Sequence, residues 1–174
     1  MTRAQERRTL QPCRCDHLRA RGFGRFRGGV VMQRVSDVLR SKGRTIYAVT
    51  PEDPVLEAIR LMAELHVGAL LVMKDQQLAG IVSERDYARK VVLLGRSSAE
   101  TPVWQIMSSP VISVTERDSV HECMEKMTTH RIRHLPVLDA DGAVLGVLSI
   151  GDLVKAVIEA QRHQIEDLER FIHS

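Results

Sequence analysis

With 174 residues and 44% apolar side chains, the chain is long enough to bury a globular core, and it holds no run of about 18 apolar residues that would cross a membrane. Its net charge of +3 is concentrated in residues 1–31, where eight Arg face only Glu6 and Asp16 for a balance of +6, which leaves −3 on residues 32–174. The pI near 9.0 thus gives no ground for nucleic-acid binding by the folded part, and with no secretory pattern at the start a soluble, cytoplasmic protein is expected.

Residues 1–31 are rich in Arg and Gly and carry neither helical nor strand periodicity. They read as a disordered basic tail, as an organellar transit segment without the usual Ser, or as a mis-assigned start ahead of an initiator at Met32. Cys13 and Cys15 make at most half a metal site, while Cys123 falls on an apolar helical position and is read as a small hydrophobe.

From there the chain divides into a first repeat at 32–94, a linker at 95–109, a second repeat at 110–158 and a helical extension at 159–174. The duplication is visible residue by residue. Val49, Thr50, Asp53, Val55, Glu57, Met62, Leu70 and Val72 match Val114, Thr115, Asp118, Val120, Glu122, Met127, Leu135 and Val137 at a constant shift of 65. One extra residue in the loop Asp139 to Ala143 moves the shift to 66, at which Gly80, Ser83, Asp86 and Val91 match Gly146, Ser149, Asp152 and Val157.

Each copy begins with a short extended segment ending in Val-Thr and a polar turn that suits a helix start. A helix follows, with apolar stripes Val55, Ala58, Ile59, Met62 and Val120, Cys123, Met124, Met127. Two β-type runs come next, Ala69 to Met73 with Ile81-Val82, and Leu135 to Leu138 with Gly146 to Leu148. A second helix is expected to start at Asp86 and at Asp152. The unit is βαββα, an α+β class, and about 50 residues per copy give too little core for either to stand alone, so the two should pack together.

Both strand-to-helix turns read Gly, two apolar residues, Ser, two variable residues, Asp: Gly80 to Asp86 and Gly146 to Asp152. Singly, Ser-x-x-Asp is a capping arrangement. Twice in register it also offers a carboxylate that can hold both hydroxyls of a ribose, with a hydroxyl three residues earlier placed for a phosphate oxygen.

The doubled motif, preceded in each copy by Val-Thr, Val, Met and an apolar strand, resembles the CBS domain pair, or Bateman module, of the stand-alone bacterial type, over about residues 45 to 158. The resemblance implies two repeats related by a pseudo-twofold axis, with two clefts that take adenosine ligands such as AMP, ADP, ATP, NAD(H) or S-adenosylmethionine. It places Asp86 and Asp152 on ribose and Ser83 and Ser149 on the ribose-phosphate side. Backbone near Tyr47 and Ile112 would meet adenine, Tyr47 serving the Asp152 site and Ile112 the Asp86 site. Val67, Ile81, Ile132 and Val147 would be apolar walls. Where the first copy has Gly68-Ala69 the second has Arg133-His134, basic side chains at the family's phosphate positions, and Arg85 fits the same role in the other cleft, within reach of Arg133.

Catalysis is not expected. His121 and Cys123 point to different helix faces, His130 and His134 straddle a helix end, and no nucleotide-hydrolase, metalloprotease or serine-hydrolase motif occurs. The function implied is a regulatory module that binds AMP, ATP or NAD and signals to a partner protein or through its own assembly. A nucleic-acid-associated adaptor, using the Arg/Gly tail with the repeats as scaffold, is the alternative. Beyond Asp152, residues Val154, Ile158, Gln161, Ile165, Leu168 and Ile172 recur at spacings of 4, 3, 4, 3, 4. This seam predicts a homodimer in which residues 161 to 172 touch the partner, unless the tail folds back over the helix near Val35 and Leu39.

Overall fold

The computed structural model describes residues 33–172; the three readings of residues 1–31 fall outside that range. The chain opens with α1 (Val35–Lys42), followed by β1 (Ala48–Val49), α2 (Val55–Leu65), β2 (Ala69–Lys74), β3 (Gln77–Ser83) and α3 (Glu84–Tyr87), which continues as a π-helical turn at Ala88–Val92. A 3-10 turn at Val103–Gln105 interrupts the linker. The second copy supplies α4 (Val120–His130), β4 (His134–Leu138), β5 (Val144–Ser149) and the long α5 (Ile150–Ile172).

In the first copy β1 runs parallel to β2, and β2 antiparallel to β3. In the second copy β4 and β5 pair alike, but the opening strand shrinks to one parallel bridge, Val114 with Val137. Pro136 explains the loss. Leu71 N–H donates to the Tyr47 carbonyl at 3.1 Å, and its counterpart Pro136 has no N–H to offer Ile112.

Helices α3 and α5 start two residues earlier than expected, at Glu84 and Ile150, because the motif serine is the cap and the aspartate sits at the third helical position. Helices α2 and α4 both end on a left-handed residue, His66 (φ 54°) and Arg131 (φ 55°). The next amides, of Val67 and Ile132, turn back to the Met62 and Met127 carbonyls at 3.0 and 2.9 Å. Because neither cap is glycine, each conformation costs about 1 kcal/mol or more, and it is repeated at the same register in both copies.

Two cores form, and each is completed by residues from outside its own repeat. Val49, Val55, Ala58, Met62, Leu70, Val72, Val82 and Val91 are completed by Val103 and Ile106 of the linker. Val114, Val120, Cys123, Met127, Leu135, Val137, Leu148, Leu153 and Ala156 are completed by Val35, Val38 and Leu39 of α1. The motif glycines make room for these visitors. A Cβ on Gly80 would lie 2.6 Å from Met107 Sδ, and one on Gly146 would lie 2.9 Å from Leu39 Cδ2. Matching hydrogen bonds, Val103 N to the Asp53 carbonyl and Val35 N to the Asp118 carbonyl, hold the two segments in the same pose. The exchange ties the halves together: the first core is completed from the linker, and the second by α1 at the head of the first repeat.

Candidate functional site

Both Ser-x-x-Asp turns close into reciprocal caps. Ser83 donates its amide and hydroxyl to Asp86 Oδ2 at 3.1 and 2.6 Å, while Asp86 N–H donates to Ser83 Oγ at 3.3 Å. Ser149 and Asp152 repeat this at 2.7, 2.7 and 3.2 Å. Each carboxylate also meets a lysine. Lys90, one turn further along the same helix, lies 2.9 Å from Asp86 Oδ1 and donates to the Ile106 carbonyl at 2.6 Å. Lys42 reaches from the end of α1, 2.5 Å from Asp152 Oδ2, and donates to the Val147 carbonyl at 2.9 Å.

An open cleft of about 810 Å³ lies over the first turn. Asp86, Ser83, Arg85, Gly68, Ile81, Ile112, Ile132, Arg133 and His134 all line it, joined by Glu84, Arg89, Ser108, Pro110, Val111, Met127, Thr128, His130, Arg131 and Ile150. Ile112 stands on the same cleft as Asp86. Its carbonyl faces no proline N–H, whereas the Tyr47 carbonyl is taken by Leu71. The bases are gathered rather than divided between two clefts: Arg85, Arg133 and His134 share this one with Arg89, His130 and Arg131. Arg85 Nη1 donates to the Arg131 carbonyl at 2.7 Å and so joins the two copies across the opening. Among the described residues, none of these four guanidiniums pairs with a carboxylate. A concave surface with four unpaired arginines suits a ligand carrying phosphates.

Asp152, Ser149, Tyr47, Val67 and Val147 lie apart from that cleft. Tyr47 and Val67 pack against the first core, and Asp152 is held by Lys42. Burial alone would push the Asp152 carboxyl up, but hydrogen bonds from Lys42 and from Ser149 more than reverse this and leave it below the usual range. His134 stands between the two turns. A side chain on Gly68 would begin 3.5 Å from its ring. Burial, then the Lys42 and Arg133 cations, hold its pKa below the ordinary histidine value, against a pull upward from Asp152.

Among the described residues no group of three or more His, Cys, Asp or Glu could hold an ion. His121 pairs with Glu125 at 3.4 Å, and Cys123 is buried, its thiol pushed up to about 11. Sequence reasoning missed Arg89, whose signal was one helical turn from Arg85 and Asp86. It missed His130 because a helix-end residue was judged out of reach of His134. Lys42 carried no signal, since it lies 110 residues from its partner.

The profile of the CBS domain matches residues 35–93 and 103–159. A solved protein with CBS domains from Burkholderia ambifaria MC40-6 is 55% identical, with a TM-score of 0.71, covering 73% of this chain and 95% of that one. A CBS domain protein from Pyrobaculum aerophilum, solved in complex with AMP, is 31% identical, with a TM-score of 0.62, covering 68% of this chain and 88% of that one. The CBS domain-containing protein CBSX3, mitochondrial, of Arabidopsis thaliana is 42% identical over 147 residues, 79% of this chain and 71% of that one.

Proposed function

Because the chain belongs to the CBS domain family, a tandem α+β pair, we propose that it is a non-catalytic cytoplasmic regulator whose Asp86 cleft binds an adenine nucleotide of the AMP, ATP or NAD kind. The observation that carries this reading is convergence on one opening: a capped carboxylate shaped for a ribose diol, the open backbone of Ile112, and four unpaired guanidiniums. The AMP bound to the Pyrobaculum relative supports an adenosine ligand here. Asp86 orients the ribose, Ser83 and Arg85 face the phosphates, and Arg89, Arg131 and Arg133 favour more than one phosphate group. The Asp152 turn takes nucleotide more weakly because Lys42 reaches its carboxylate from α1, whereas Lys90 pairs with Asp86 from that residue's own helix, off the cleft wall. Occupancy is signalled to a partner protein or through a homodimer.

Isothermal titration with AMP, ATP and NAD tests this directly, alongside mass spectrometry of whatever is released when the purified protein is denatured. Binding that weakens about tenfold or more in Asp86→Ala supports the reading. No heat from any of the three at millimolar concentration, with no released nucleotide, ends it.

A further inference from the structure

The end of α4 forms one wall of the Asp86 cleft, through Thr128, His130 and Arg131. Arg131 is the left-handed cap there (φ 55°), and its carbonyl belongs to the acceptor end of the helix. A helix C-terminus carries partial negative charge, so on its own it repels a ligand phosphate. Arg85 alters that wall. Its Nη1 donates to the Arg131 carbonyl at 2.7 Å, a cation of the first copy capping a helix of the second. A guanidinium has five N–H donors, so the bond to the carbonyl leaves others for a phosphate oxygen.

The opposite turn shows what this contact requires. At the repeat shifts of 65 and 66, Arg131 matches His66 and Arg85 matches Gly151. His66 ends α2 in the same left-handed conformation (φ 54°), and Val67 turns back to the Met62 carbonyl as Ile132 does to that of Met127. Gly151 has no side chain with which to reach it. The two cap turns are alike in backbone, yet a strap of this kind is possible at one of them only. Space does not force the glycine: a Cβ there would meet Ser149 Oγ at 3.7 Å, an ordinary contact.

We propose that Arg85 is a strap between the repeats which a ligand phosphate tightens, so that occupancy of the Asp86 cleft is passed to the end of α4 and not to the end of α2. Carbonyl and phosphate hold one guanidinium from two sides, and each contact fixes the side chain for the other. Phosphate binding and the stability of the α4 cap are then reciprocally linked. Ribose and base make no use of the strap, so a nucleoside without phosphate binds without this effect. The inference rests on the nucleotide reading above and deepens it, by naming the contact through which the bound state reaches the second repeat.

Hydrogen exchange of the full chain tests it, read at the amides of Arg131 and Ile132 with those of His66 and Val67 as internal reference. Without ligand, Arg85→Gln should speed exchange at 131–132 by about fivefold, the worth of an exposed charged contact, and leave 66–67 unchanged. Saturating AMP should slow 131–132 in the unaltered chain, whereas saturating adenosine should not. In Arg85→Gln, with AMP raised until calorimetry shows the site filled, that slowing should vanish. Gly151→Arg replaces a helical glycine with a better helix former and should slow exchange at 66–67. Exchange at 131–132 indifferent to Arg85→Gln overturns the strap. Slowing of both turns alike by AMP, or equal slowing by adenosine, overturns its coupling to phosphate. Gly151→Arg that is folded by circular dichroism and leaves 66–67 unchanged overturns the assignment of the asymmetry to this one position. No heat from AMP at millimolar concentration, with the Arg85→Gln effect intact, overturns the coupling together with AMP binding while the strap itself stands.

Discussion

Asp86 and Asp152 hold the same register, the same serine cap and one lysine each, yet the lysines come from opposite directions. Lys90 approaches along the helix of Asp86 itself and is tied to the Ile106 carbonyl; neither Lys90 nor Ile106 lines the cleft. Lys42 arrives from α1. Val35 and Val103 make the same hydrogen bond, and Leu39 and Met107 cover the same glycine. By that alignment Lys42 stands where the first cleft has Pro110, a lining residue. Both carboxylates carry a cation, but that of Asp86 comes from its own helix, whereas Lys42 reaches Asp152 from the position where the first cleft has a proline. The backbone of a duplicated unit is fixed by its motif, but access to the motif is decided by residues outside it.

The largest effect should come from the exchanged segments. Leu39 is almost wholly buried, and Leu39→Ala is expected to cost about 2–5 kcal/mol of stability, whereas Met107→Ala, at a partly buried position, should cost less. Urea denaturation compares them. Equal losses would mean that α1 and the linker contribute alike. Gly146→Val should approach the Leu39 loss by overpacking the same contact, at about 1–3 kcal/mol.

Next comes the inequality of the clefts. Asp86→Ala should weaken the tighter nucleotide site by about ten- to a hundredfold, while Asp152→Ala leaves that site near its original affinity. Two sites of equal affinity in the unaltered chain would erase the distinction. Lys42→Ala sharpens it: titration should then resolve a second site strengthened by about fivefold at most, since the competing ion pair is partly exposed and worth about 1 kcal/mol at most. A loss of binding in Lys42→Ala would instead make Lys42 a ligand contact.

The repeat, most of the strands and both serine caps could be read from the sequence, because identities at a fixed shift and apolar periods of 3.6 and 2 are local signals, whereas the expectation that Ile112 serves Asp86 came from the family resemblance alone. Even the glycine of the motif was visible as a pattern, though not its reason, which lies in Leu39 and Met107 on segments far away in the chain. What could not be read was set by tertiary placement. Periodicity says that α1 is amphipathic but not which core it completes. The lost strand of the second copy turned on one missing N–H at Pro136. Arg133 and His134 were recognised as departures from the first copy, but only the folded chain shows them on the same opening as Arg85.

The smallest expected effect concerns His134, which feels both turns. Its folded pKa lies below the ordinary 6.5, owing first to burial and then to Lys42 and Arg133. Its ring is therefore neutral near pH 7. In the unfolded chain the ring takes its proton near 6.5, while in the folded chain it does so only at lower pH. Stability is thus complete above 6.5 and declines as the pH falls from 6.5 toward the folded value. Phosphates bound beside the ring favour its charged form and should raise the bound pKa. Nucleotide binding near pH 6 should then take up a fraction of a proton, and affinity should grow less than about tenfold from pH 7.5 to 6. Titrations in two buffers of different ionisation heat measure the uptake, and His134→Gln should abolish it. Lys42→Ala removes one of the cations that depress the ring, so it should reduce the uptake while leaving the Asp86 site intact. Uptake unchanged in His134→Gln would assign the proton to another group.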